Sequence, residues 1–250
     1  MPKIRPKFLL VTPVWNDSAR LECFGLALAK ALAASGLNLT WVIADDGSDF
    51  GEIEQLERLK EKFSQIYSDL VLHAHPERSR KGGAIYQSWQ QYPEADYYAF
   101  VDADGAVRAE ELMRLLNSAL DSGNPDMSFV AVRQSSGPLV VERSLLRQVS
   151  FHLFRMMVRG IVGLKCADTQ CGAKVISARS YRAVSEHLME GGFVFDVELL
   201  ATLRQGAWPV TELPITWQEV SGSKLKLWKD IWTISAGLIR IRRRLNASSL

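Results

Sequence analysis

Asp102 and Asp104 stand one residue apart, directly after the apolar run Tyr97-Tyr98-Ala99-Phe100-Val101. On a turn leaving a buried strand, such a pair can meet one divalent cation whose other ligands are water and phosphate oxygens, a set that Mg²⁺ and Mn²⁺ accept. That chemistry suits a nucleoside-diphosphate donor. A second acidic pair opens Asp45-Asp46-Gly47-Ser48, after the β-rich run Leu39 to Ala44. One carboxylate there can accept a hydrogen bond from a base N–H while the other supports the metal or ribose. An Asx turn capping the next helix accounts for the same residues. Arg80-Lys81-Gly82-Gly83-Ala84 has the composition to bring backbone N–H groups and a helix N-terminus toward an anion. It lacks the GxxxxGK[ST] spacing of a phosphate loop, and the chain has no GxGxxG, so ATPase and nicotinamide-dependent chemistry lose their main support.

Strand and helix signals alternate around these groups. Phe8 to Thr12, Leu39 to Ala44, Leu70 to Leu72, Tyr97 to Val101 and Met127 to Val132 read as strands. Leu21 to Ala34, the period through Ile53, Leu56, Leu59 and Phe63, Ala84 to Gln91, and Glu110 to Leu120 read as helices. Alternation of this kind predicts an α/β fold with a mostly parallel sheet and helices on both faces, because parallel strands need crossover connections. Ligands of such sheets gather outside the carboxyl ends of the strands. Pro13 to Asp17, Asp45-Asp46 and Asp102 to Asp104 all fall at such ends. The second half is less regular: a mixed apolar and basic stretch from Arg143 to Val162, then Asp168-Thr169-Gln170, Phe193 to Leu200 and Trp217 to Lys224.

The chain has 250 residues, 47% hydrophobic and 23% charged, which fits one ordinary domain with a large core. A net charge of +2 is too small for a nucleic-acid partner on bulk charge. Three cysteines, Cys23, Cys166 and Cys171, form no zinc or disulfide pattern and point to a reducing compartment. The apolar run after the basic start is too short for a signal peptide. From Leu225 to Arg244 an apolar set, including Trp228, Ile231, Trp232, Ile234, Leu238, Ile239 and Ile241, is interspersed with lysines and arginines. We read residues 1–224 as the domain and 225–250 as an amphipathic basic helix suited to the surface of an anionic membrane, its apolar face toward lipid. A helix docked on the domain or on a second subunit is the competing reading.

Together these pieces resemble the inverting family-2 glycosyltransferases of the GT-A fold, over nearly the whole chain. Within them the chain is similar to the polyprenyl-phosphate sugar transferases, and among those to the dolichyl-phosphate glucosyltransferase type. The resemblance is carried by Lys81-Gly82-Gly83-Ala84, Asp102-Ala103-Asp104-Gly105-Ala106, Asp168-Thr169-Gln170-Cys171-Gly172-Ala173-Lys174, Phe195-Asp196-Val197-Glu198-Leu199-Leu200 and Trp217-Gln218-Glu219-Val220-Ser221-Gly222-Ser223-Lys224.

The resemblance implies a Rossmann-like, mostly parallel central sheet and metal-dependent transfer of a hexose, glucose favoured, from a UDP-sugar to a polyprenyl phosphate. It further implies that Pro13, Trp15 and Asp17 border the base, and that Asp45 and Asp46 hold base and ribose. Lys81 and Gly82 would line the donor site, with Asp102 and Asp104 on Mg²⁺ or Mn²⁺ and the diphosphate. Lys224 would clamp the diphosphate, and Arg133, Arg143 and Arg147 would meet an anionic acceptor. Asp168 would orient that acceptor, or act as base if the acceptor is a hydroxyl. Three departures stand out: Asp17 replaces the usual Glu, Ala106 stands where mannosyl-type relatives have Gln, and the processive QxxRW motif is absent. The alternatives are the same donor chemistry on a soluble or saccharide hydroxyl, and a catalytically silent membrane-associated homologue. The expected location is cytoplasmic, peripheral on the membrane's cytoplasmic face.

Overall fold

The computed structural model describes the backbone of residues 5–133, 145–218 and 227–247, with side chains over 5–133, 150–218 and 231–247. In chain order the elements are β1 (Lys7–Val14), α1 (Ser18–Ser35), β2 (Asn38–Asp46), α2 (Phe50–Ser64), β3 (Leu70–His75), α3 (Arg80–Gln90), β4 (Tyr97–Val101), α4 (Ala109–Asp121) and β5 (Ser128–Arg133). There follow α5 (Leu145–Met157), continued by a π-helical turn over Val158–Val162, then β6 (Ala173–Ser177), α6 (Ala178–Val184), α7 (Phe195–Gln205), β7 (Val210–Ile215) and α8 (Leu227–Ala247).

The strands form one sheet in the order β3-β2-β1-β4-β6-β5-β7. Neighbouring strands run parallel except at β6, which is antiparallel to both β4 and β5. The expected mostly parallel α/β sheet is therefore present. Strand pleating sends Phe8 and Leu10 to one face, where they pack with Phe24, Leu28, Trp41, Leu56, Phe63 and Leu112 from α1, β2, α2 and α4. Leu9 and Val11 point the other way, to Trp89, Tyr98, Phe100, Tyr181, Phe195 and Leu199. In α1, Leu21, Phe24, Leu28 and Leu32 recur at three- and four-residue spacing on the buried side, and Gly36, at φ 62°, ends the helix in the left-handed region.

The reversed strand positions the site. Because β6 runs against β4, its amino end lies at the carboxyl edge of the sheet. Val101 pairs with Ala173, and the Asp102 N–H donates to the Gly172 carbonyl at 2.9 Å. The segment before β6 is thereby delivered to the edge where β1, β2 and β4 end.

The C-terminal helix differs from the reading that put its apolar face toward lipid. Ile234, Leu238 and Ile241 are buried against Phe154, Val158, Val162 and Leu200. Arg240 pairs with Glu190 at 2.9 Å, and Arg244 reaches Glu190 at 2.7 Å and Glu198 at 2.6 Å. Two arginines expected near lipid are thus spent on carboxylates of the domain, and α8 belongs to its third core. Trp232 remains 84% exposed and Ile239 43%. No helix among the described residues is long and apolar enough to cross a membrane.

Candidate active site

The loops after β1 and β2 are laced together. The Asn16 N–H donates to Ser48 Oγ at 2.8 Å, and the Asp49 N–H donates to Asn16 Oδ1 at 2.9 Å. Pro13 and Val14 lie in register with Ala44 and Asp45, so the first motif and the second acidic pair share one corner. The Arg78 guanidinium stacks on Trp15, 3.3 Å from the ring centroid.

Asp45 is fully buried; its Oδ2 accepts the Ser48 N–H at 3.2 Å, a bond within the loop rather than a cap, since Asp49 stands at the N-cap of α2 and makes no side-chain cap bond. Its Oδ1 is buried with no hydrogen-bond partner. A buried acceptor left unpaired costs about 1–3 kcal/mol, so the carboxylate is preset for a donor that the protein does not supply. Asp46 Oδ1 accepts from the Ser79 N–H at 2.6 Å and from the Ser79 hydroxyl at 2.9 Å, fixing the loop after β3.

Beside this corner, Asp102 and Asp104 leave β4. Asp102 Oδ1 lies 2.6 Å from Lys81 Nζ. Asp104 Oδ1 accepts the Ala106 N–H at 3.0 Å, and its Oδ2 lies 3.9 Å from Arg20. Arg20 also pairs with Asp17 at 3.1 Å, which ties Asp17 to the Asp104 end of the site. Burial, and then the neighbouring Asp102 charge, push the Asp104 carboxyl above its ordinary value. Burial works against the Lys81 ammonium, but Asp102, Asp196 and Asp104 outweigh it and hold its proton above the usual lysine value. Asp17, Asp102 and Asp104 face two cations, Arg20 and Lys81, and the remaining negative charge fits a divalent cation. Among the described residues no group of three or more His, Cys, Asp or Glu could hold a metal. Two carboxylates completed by diphosphate oxygens and water match the Mg²⁺ and Mn²⁺ expectation.

Gly82 departs from its expected role at the donor. Its N–H donates to the Gly191 carbonyl at 2.8 Å, and that of Gly83 to the same oxygen at 3.3 Å. A Cβ on Gly82 would lie 2.5 Å from Phe195, so this glycine permits close packing of α3 on α7. Its backbone donor is committed to the protein and does not face an anion.

Across the site, Asp168 is buried and gripped by Arg133. Nε lies 2.5 Å from Oδ2 and NH2 lies 2.8 Å from Oδ1, with further bonds from the Arg133 and Gln170 N–H groups. Burial opposes the Arg133 charge, yet Asp168 outweighs it and holds the guanidinium's proton more tightly than usual. The guanidinium also lies 4.9 Å from the Phe151 ring and 5.4 Å from Trp217. Trp217 bridges to Val107, and the Gln218 N–H donates to the Ala106 carbonyl at 3.0 Å, so the segment after β7 returns to the Asp104 turn. Arg143 and Lys224 lie outside the described residues, and Arg147 falls in α5, where its side chain is not described.

Sequence reasoning gave no role to Arg20, Arg78, Lys174 or Asp196. Lys174 and Asp196 are both buried and lie 2.5 Å apart. A charge set inside the apolar runs Ala173 to Ile176 and Phe193 to Leu200 was the available signal, since buried charges occur in pairs.

The glycosyl transferase family 2 model matches residues 10–184. The chain belongs to glycosyltransferase family 2, and it is a glycosyltransferase with the GT-A fold. A dolichyl-phosphate beta-glucosyltransferase of Saccharomyces cerevisiae is 28% identical over 93% of this chain and 73% of that protein. The Homo sapiens protein of that name is 26% identical over 94% of this chain and 74% of its own length. Among solved structures, glucosyl-3-phosphoglycerate synthase from Mycobacterium tuberculosis with Mn²⁺, UDP and phosphoglyceric acid aligns with a TM-score of 0.64. That alignment has 14% identity and covers 96% of this chain and 78% of the other. A mannosyltransferase from Pyrobaculum calidifontis with GDP-Man and Mn²⁺ aligns at 0.61, with 14% identity, over 98% of this chain and 70% of the other.

Proposed function

We propose that this glycosyltransferase moves glucose from UDP-glucose to a polyprenyl phosphate, with inversion at the anomeric carbon and with Mg²⁺ or Mn²⁺ as cofactor. Alignment across 93% of the chain with a relative named dolichyl-phosphate beta-glucosyltransferase carries the assignment. The UDP and Mn²⁺ named for a structure of the same fold support the donor and the metal.

Asp45 Oδ1 accepts the N–H of the uracil ring, whose edges Pro13 and Trp15 border, and Asp46 stiffens the loop beneath the ribose. Asp102 and Asp104 would hold the divalent cation, which would supply positive charge to the departing diphosphate. An oxygen of the acceptor phosphate attacks the anomeric carbon from the face opposite the diphosphate. The bond to the diphosphate oxygen breaks, and UDP leaves with that electron pair. A lipid phosphate is ionised at neutral pH and needs no strong base, so catalysis is positioning and charge stabilisation. Arg133, with Arg143 and Arg147, receives the acceptor phosphate, and Asp168 sets the orientation of Arg133. Lys224, by resemblance, would clamp the diphosphate, and Lys224→Ala should then lower kcat by orders of magnitude in a turnover assay.

A hydroxyl acceptor would require a base, and Asp168 was the candidate. Its two oxygens accept four hydrogen bonds, two of them from one guanidinium, which favours the phosphate acceptor over the hydroxyl. Exposed Trp232 and Ile239, beside exposed Arg242 and Arg243, are the groups through which the enzyme would sit peripherally on an anionic cytoplasmic surface. A donor panel with purified protein tests the assignment, reading nucleotide release with and without polyprenyl phosphate.

A further inference from the structure

We propose that Lys81 is the resident cation of the metal site: its ammonium occupies Asp102 until a divalent cation arrives with the donor diphosphate, then withdraws toward Asp196, so that metal and nucleotide enter together. The idea rests on Asp102 and Asp104 being the metal ligands.

Lys81 Nζ lies 2.6 Å from Asp102 Oδ1. The other oxygen lies against Gly172, where any Cβ would fall 2.6 Å from Asp102 Oδ2, so only glycine leaves room for the carboxylate there. A cation entering alone must therefore compete with an ammonium already seated on the carboxylate. The formal charges point the same way. Three carboxylates, Asp17, Asp102 and Asp104, against two cations, Arg20 and Lys81, leave the cluster with one net negative charge. A divalent cation that enters with a doubly charged diphosphate keeps that balance, whereas the cation alone reverses its sign beside a retained ammonium.

The structure also supplies a second seat for Lys81. Its ammonium lies 5.0 Å from the Phe100 ring centroid and 5.5 Å from that of Phe195. The residue after Phe195 is Asp196, a buried carboxylate in the first turn of α7. Lys174 Nζ approaches Asp196 Oδ1 at 2.5 Å and also lies 5.0 Å from the Phe100 centroid. Lys174 donates to the Cys171 carbonyl at 3.0 Å, while Asp196 Oδ1 has no well-directed hydrogen bond. Asp196 thus keeps acceptor capacity for a second ammonium. Lys174 keeps Asp196 compensated while Lys81 is on Asp102.

Mn²⁺ binding to the full-length protein, followed by electron paramagnetic resonance without nucleotide and again with UDP, tests this. Wild type should bind Mn²⁺ weakly alone and at least about tenfold more tightly with UDP. Lys81→Met should raise the affinity for Mn²⁺ alone by roughly tenfold or more and shrink the gain from UDP, because a competing charge is gone. Lys81→Arg, which restores the cation, should behave as wild type. If Lys81→Met fails to unfold cooperatively, Lys81→Gln carries the same test. A folded Lys81 variant without the charge that binds free Mn²⁺ no better than wild type overturns the proposal. So does a wild-type protein whose Mn²⁺ affinity ignores UDP. Asp104→Asn separates the two levels: if it leaves the Mn²⁺ signal unchanged, the metal-site assignment itself has failed.

Discussion

Asp104 owes its weight to its surroundings. Its carboxylate is enclosed beside Asp102, one oxygen is committed to the Ala106 N–H, and the only cation paired with it among the described residues is Arg20 at 3.9 Å. Asp104→Asn keeps the size and removes the charge. Turnover should fall to background while thermal unfolding stays cooperative, and wild-type turnover in excess chelator would count against the assignment. Asp168 calls for a different reading. If it positions Arg133, Asp168→Asn should raise the acceptor KM about tenfold or more and leave the shape of the pH–kcat profile unchanged. A catalytic base would instead show as a lost limb of that profile. Gly82→Ala should lower stability by about 1–3 kcal/mol, read as a drop in Tm, because its Cβ would lie 2.5 Å from Phe195.

At the scale of elements, the strands that bear Asp45 and Asp102 were legible because each is a short apolar run closed by a turn, a local signal. β6 was not. Lys174 interrupts its apolar pattern, and nothing local tells an antiparallel strand from a parallel one. β7 carries Glu212 and Pro214, which weaken a strand reading and suit the edge position it occupies. The Arg133–Asp168 grip joins residues 35 positions apart and depends on the reversal at β6, so spacing could suggest the two residues but not their contact. The C-terminal helix shows the same limit: its pattern fixed an apolar face but not what covers that face. Glu190 anchors it. Burial raises the Glu190 carboxyl, but Arg240 and Arg244 outweigh this and hold it below the usual glutamate range. The folded state therefore binds this proton less readily than the unfolded chain does. The stabilisation is complete above the unfolded-state value and is lost as pH falls through the lower folded one. Glu190→Gln should accordingly cost about 1–3 kcal/mol at pH 7, with the two Tm curves converging as pH falls below the usual glutamate range.

For the whole molecule, the sheet gathers the ends of β1, β2 and β4 with the start of β6 at one edge, leaving α8 on the far side of α7 as part of the core. Truncation before α8 would strip Phe154, Val158 and Leu200 of cover, so membrane association is better tested by a surface change. Trp232→Ser should weaken co-sedimentation with anionic liposomes without lowering Tm, and unchanged binding would remove this face from the account. The central claim is the reaction. Purified full-length protein is given UDP-glucose and Mn²⁺, with and without a polyprenyl phosphate, and released UDP is measured beside glucosylated lipid. UDP and glucosyl lipid should appear in equal amounts, only when the lipid phosphate is present, and neither should form with Asp104→Asn. Release of UDP that matches glucose transfer to a saccharide and ignores the lipid would contradict it.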